Sequence, residues 1–129
     1  MEFQLTVNLP NEDGYVDVRV GEHTIRASTR HDGKAPSPGE IFLVGLAACV
    51  GGNVINYCAL HNCASPTEIT MTANFNLDTQ MTEKVIFEIH LPSNFPEKHL
   101  KTIERVIDTC DVKQAWKQAP EFESIIVRS

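Results

Sequence analysis

The sequence lacks most of the signatures that would place it quickly, and each absence narrows the field. Cations are few and ungrouped: 11 Lys and Arg stand against 17 Asp and Glu, for a net charge of −6. Binding a phosphate backbone takes a clustered basic footprint, so the composition argues against a nucleic-acid partner. No Gly-Lys-Ser/Thr follows the Gly51-Gly52-Asn53 run, which removes the phosphate-cradling loop. There is no His-Glu-x-x-His, and His23, His31, His90 and His99 are scattered. There is no Cys-x-x-Cys either. Cys58, His61 and Cys63 make a Cys-x-x-His-x-Cys, which is short of the four ligands of a structural zinc site, and no metal is expected there. Met1-Glu2-Phe3-Gln4 shows neither the charged nor the apolar segment of a secretory leader, so the expected location is the cytoplasm. In that compartment the 4 cysteines are expected as thiols, ligands or redox-active groups rather than as structural disulfides. Repeats, linkers and low-complexity stretches are absent, and 129 residues suit one domain with a modest core, 1–129.

What the chain does have is an uninterrupted apolar run. From Ile41 to Ile55 nearly every residue is apolar or small, and none is charged. That run is too short to span a bilayer, so it reads as a buried core helix and no membrane partner is expected. Pro38 and Glu40 fit its first turn, where a missing N–H is harmless and a negative charge is favoured. Cys49, Asn53 and Asn56 fall at i, i+4 and i+7 and form one polar stripe on this otherwise apolar helix. A thiol on such a stripe reads as a site; a thiol packed as a small hydrophobe is the competing reading.

Around the helix, period-two alternation predicts strands over Phe3–Leu9, Tyr15–Val20, Thr24–Thr29, Glu68–Leu77 and Lys84–Leu91. Turns are expected at Asn11-Glu12-Asp13-Gly14, at Gly21-Glu22 and across 78–83. In the fourth strand Ile69, Met71, Ala73, Phe75 and Leu77 share one face. Leu100, Ile103, Val106, Ile107 and Cys110 repeat at helical spacing, 111–118 reads as a short further helix, and Phe122–Val127 as a closing strand. Segregated strands and helices predict an α+β fold with antiparallel sheets. A helix apolar nearly all round needs cover on its remaining sides, and a second copy of the chain supplies it, so a homodimer is expected.

Cys49 and Cys110 are the candidate chemical pair, a nucleophilic thiol and a resolving thiol; two core thiols that never meet are the alternative. Cys49 lies mid-helix, beyond the reach of its own helix dipole, so activating it calls for a nearby cation. Arg19, Arg26 and Arg30 are the candidates, and periodicity does not choose among them. Glu40 and Cys49 fall on opposite faces of a straight helix, roughly 13 Å apart along its axis. One site could use both only if the helix bends or two subunits share the site.

The block Gly33-Lys34-Ala35-Pro36-Ser37-Pro38-Gly39-Glu40-Ile41 leading into Leu46-Ala47-Ala48-Cys49 resembles the OsmC/Ohr family of osmotically inducible and organic-hydroperoxide-resistance proteins. So does Thr109-Cys110-Asp111-Val112, and the order of elements matches along the whole chain. The resemblance implies an OsmC-like fold: antiparallel sheets packed around a long buried central helix, in an intertwined homodimer with the site at the dimer interface. It implies a thiol-dependent peroxidase that reduces organic hydroperoxides with electrons from an external dithiol, without metal, flavin or haem. Carried over, Cys49 matches the peroxide-attacking cysteine, Cys110 the resolving one, and Glu40 the glutamate that orients an active-site arginine. Two positions depart from the peroxidase branches. Asp111 stands where Pro often follows the second cysteine, and Glu12 stands where an arginine precedes Asp-Gly. The Lys-Ala-Pro-Ser-Pro loop looks more like the divergent OsmC-like branch. A non-enzymatic domain that binds a small apolar ligand or senses redox state is the second functional reading.

Overall fold

The structure, a computed structural model, describes residues 1–9, 14–30 and 32–128. The predicted turn residues Asn11, Glu12 and Asp13 lie outside the described residues. The chain divides into two compact units, Met1–Gly45 and Leu46–Ser129.

In the first unit, strands β1 (Leu5–Val7), β2 (Tyr15–Val20) and β3 (His23–Ser28) form an antiparallel sheet in that order. Val18 pairs with Val7 on one side and Ile25 on the other. Gly14 takes a φ of 76°, a backbone conformation that favours glycine, and the Arg30 side chain lies against it. Helix α1 (Pro38–Leu60) then begins. Its start is a reciprocal cap: Glu40 N–H donates to Ser37 Oγ at 3.2 Å, and Ser37 N–H donates to Glu40 Oε1 at 3.0 Å.

Helix α1 has 23 residues, longer than the apolar run alone suggested, and by length and composition it could cross a membrane. One stripe of it is packed within the chain. Leu46, Val50, Val54 and Cys58, spaced four apart, are buried. In the second unit that stripe meets β4 (Glu68–Asn76), β5 (Met81–His90) and α2 (Leu100–Asp108) in two adjacent clusters. Leu46, Val50 and Cys110 pack with Met71, Val85 and Phe87; Val54, Cys58 and Ile103 pack with Ile69, Phe95 and Val106. Other positions on α1, Phe42, Val44, Ile55 and Leu60, remain exposed in the single chain.

Antiparallel sheets, helices segregated from strands and a long central helix make this the expected α+β architecture. Three local expectations fail. Phe75 and Leu77 do not face inward but are 51% and 77% exposed. Asn74 pairs with Lys84 and Phe75 with Thr82, so the strand register shifts there and the alternation breaks. Leu100, at the start of α2, is exposed. Phe122–Val127 is not in a strand and its large apolar residues are exposed; within a single chain nothing in the described residues pairs with it.

Candidate functional site: a thiol pair at the start of a short helix

Cys49 sits at the edge of the buried stripe of α1, one residue before fully buried Val50, and is itself half-buried. Cys110 is fully buried in the same cluster. The structure thus brings together the two thiols singled out by sequence, and both are free. Cys110 does not continue α2 as its spacing suggested. Helix α2 ends at Asp108, and Thr109, with φ −97° and ψ 12°, leaves the helix. Cys110 is extended, with φ −61° and ψ 130°, and caps the N-terminus of α3 (Asp111–Lys117). Its carbonyl accepts the first helical bond, from Gln114 N–H at 3.0 Å.

That placement sets the electrostatics. The first N–H groups of a helix have no partner inside it. The Cys110 thiol, then the backbone N–H of Val112, then that of Asp111, hold the Cys49 pKa below the ordinary thiol value. Partial burial and the Asp111 carboxylate oppose them. Cys110 moves the other way: burial and its hydrogen bond with Cys49 push it up. The pair is therefore polarised, with negative charge favoured on the half-exposed sulfur and the proton kept on the buried one.

Among the described residues no cationic side chain contributes to the lowering at Cys49. Arg19, Arg26 and Arg30 belong to the first unit. There Arg26 holds Asp17 through two hydrogen bonds of 2.8 and 3.0 Å and lies over the Tyr15 ring. Glu40 is the capping carboxylate of α1. Sequence reasoning missed the Ser37 cap, for which Ser-x-x-Glu was the available signal, and the two N–H donors of α3, which leave no side-chain signature.

A groove of about 330 Å³ is lined by Leu46, Val85, Phe87 and Trp116 together with the polar and charged Thr82, Glu83, Lys84, Lys113 and Lys117. Leu46, Val85 and Phe87 also belong to the Cys110 cluster. Cys58 and Cys63 lie elsewhere. Cys58 is buried in the second cluster, and Cys63 N–H donates to its carbonyl at 2.9 Å to close the C-terminal cap of α1, with Asn62 at φ 54°. His61 stacks on Tyr57 at 4.2 Å between ring centroids, and the Tyr57 hydroxyl bonds His99 Nδ1 at 2.7 Å. Among the described residues no group of three or more His, Cys, Asp or Glu is arranged to hold a metal.

A search of curated proteins returns no match. Among solved structures, an OsmC like protein from Mycoplasma pneumoniae aligns with a TM-score of 0.69 at 20% identity, covering 92% of this chain and 89% of that one. A protein from Psychrobacter arcticus 273-4, described as an osmotic stress induced and detoxification response protein, gives 0.69 at 17% identity over 86% and 85% of the two chains. A hypothetical protein from Aquifex aeolicus VF5 gives 0.70 at 16% identity over 91% and 88%. At these identities the structures speak for the fold. The family model for OsmC-like protein matches residues 31–124, which takes in α1, both cysteines of the polarised pair and the sheet between them, and the chain belongs to the OsmC-like family.

Proposed function

We propose that the protein is a thiol-dependent peroxidase that reduces organic hydroperoxides, with Cys49 as the attacking and Cys110 as the resolving residue. The observation that carries this reading is the asymmetry of the pair: a half-exposed thiol with a lowered pKa beside a buried thiol with a raised one. The Cys49 thiolate attacks the distal oxygen of the hydroperoxide. The O–O bond breaks, the alkoxide takes a proton and leaves as alcohol, and Cys49 becomes a sulfenic acid. The Cys110 sulfur then attacks the Cys49 sulfur. The S–O bond breaks, the oxygen leaves as water with the Cys110 proton, and a Cys49–Cys110 disulfide forms. An external dithiol returns both to thiols. Leu46, Val85 and Phe87, which pack with the two thiols and reach the groove, offer apolar contact to the organic part of such a substrate.

The working unit in this reading is a homodimer. The exposed Phe42, Val44, Ile55 and Leu60 of α1, with Phe122, Ile125, Ile126 and Val127 of the tail, are more apolar surface than a soluble monomer ordinarily shows. A stable folded monomer at micromolar concentration in sedimentation would refute this. Turnover is tested with cumene hydroperoxide and a small dithiol against a buffer control, followed by mapping of the oxidised protein. Turnover with a Cys49–Cys110 bond supports the reading. If neither thiol reacts, a module that binds a ligand in the same groove replaces it.

A further inference from the structure

Cys58 and Cys63 take no part in the mechanism above, and their arrangement repeats its logic. The cap of α1 folds the chain back at Asn62, so that Cys63 returns over the last turn and its N–H bonds the Cys58 carbonyl at 2.9 Å. In a cap of this type the two residues joined by that bond commonly touch through their side chains. Here Cys63 packs against the cluster formed by Val54, Cys58 and Ile103. Cys58 is 2% exposed and Cys63 half-buried, so an oxidant from solvent meets Cys63 first. A disulfide needs Cα atoms within about 7 Å, which residues joined by a backbone hydrogen bond at a helix cap satisfy.

We propose that Cys58 and Cys63 are a second, independent dithiol, oxidised by excess hydroperoxide to a disulfide within the chain. The Cys63 thiolate attacks the distal oxygen of the hydroperoxide, the O–O bond breaks, and alcohol leaves after taking a proton. Cys58 attacks the resulting sulfenic sulfur, the S–O bond breaks, and water leaves with the Cys58 proton. Burial and the neighbouring Cys63 charge push the Cys58 pKa up, which assigns the attacking role to Cys63. The Cys63 thiol donates to the His61 carbonyl at 3.7 Å and must leave that bond to attack, and excess oxidant is used to drive the step. The bond ties the last turn of α1 to the residue beyond its cap, and so marks and locks the end of the helix that carries Cys49.

The test uses the full chain with Cys49→Ser and Cys110→Ser, which removes the first pair and makes the outcome independent of peroxidase turnover. After excess cumene hydroperoxide, thiols are counted in denaturant and the unreduced protein is digested and mapped. The expected result is loss of both remaining thiols together, as a Cys58–Cys63 bond that a dithiol restores, with the chain still a single chain on a non-reducing gel. Two free thiols, a bond between chains, or a trapped Cys63 sulfenic acid beside a free Cys58 would overturn the proposal. Cys58→Ala in the same background should leave a Cys63 sulfenic acid that dimedone traps; an unreacted Cys63 would overturn the assignment of roles. Should the double variant fail to fold, mapping wild-type protein at excess peroxide reads the same bond.

Discussion

Cys49 and Cys58 stand on one helix beside or within one apolar stripe, yet their neighbours treat them differently. Around Cys49 the polypeptide turns out of α2 and starts α3, so two helix-start N–H groups and the Cys110 thiol face its sulfur and lower its pKa. Around Cys58 the neighbours are Val54, Ile103 and the cap of its own helix, and burial raises its pKa. Burial and helix position alone do not separate a reactive thiol from a packed one. The difference lies in which backbone groups end nearby.

The largest expected effect breaks this contrast outright. Cys49→Ser should bring hydroperoxide turnover down to the buffer rate, while Cys58→Ser and Cys63→Ser stay within a few-fold of wild type at low peroxide, as read by steady-state consumption. Next, Cys110→Ser should consume about one equivalent of hydroperoxide per chain and stop, since a sulfenic acid with no resolving partner waits or over-oxidises; mass spectrometry of Cys49 checks it. Trimming the shared stripe probes stability rather than chemistry. Leu46→Ala should cost about 2–5 kcal/mol in denaturant unfolding. Finer changes address the N–H groups. Val112→Pro removes one donor at a position in the first turn of α3, so the Cys49 pKa should rise and the pH–rate profile move to higher pH. Asp111→Asn keeps the N–H and removes the opposing charge, so the profile should move slightly to lower pH. Arg26→Ala, whose guanidinium is engaged with Asp17, should leave the profile in place. The smallest effect belongs to the helix start, where Ser37→Ala should cost about 1 kcal/mol of stability.

Much of the architecture was legible because turns punctuate it. β2 matches its sequence reading residue for residue, bounded by Gly14 and Gly21, both at positive φ. Alternation also placed Ile69, Met71, Val85 and Phe87 against the core. It failed at Phe75, which is exposed where the register shifts and Glu83 of β5 is passed over between Lys84 and Thr82. The family and the thiol pair were readable from Ala48-Cys49 and Thr109-Cys110. The burial of Cys110 was readable too, but not its place at the start of α3, because helical spacing continues through a residue that has already left the helix. The activating groups were the least legible. Backbone N–H donors are common to every residue, so nothing in the side-chain pattern marks the Val112 and Asp111 groups that face Cys49.

The central claim is that Cys49 is singled out by its α3 neighbours, and site-resolved alkylation against pH tests it most directly. Folded protein is pulsed with iodoacetamide across the pH range, quenched, digested and quantified at each cysteine. Thiolate is the reacting form, so labelling at Cys49 should rise through a midpoint below that of an ordinary thiol and then level off, and Val112→Pro should move that midpoint up. Cys58 and Cys110 should label only where the fold opens. A Cys49 midpoint at or above the ordinary thiol value, unmoved by Val112→Pro, would contradict the account.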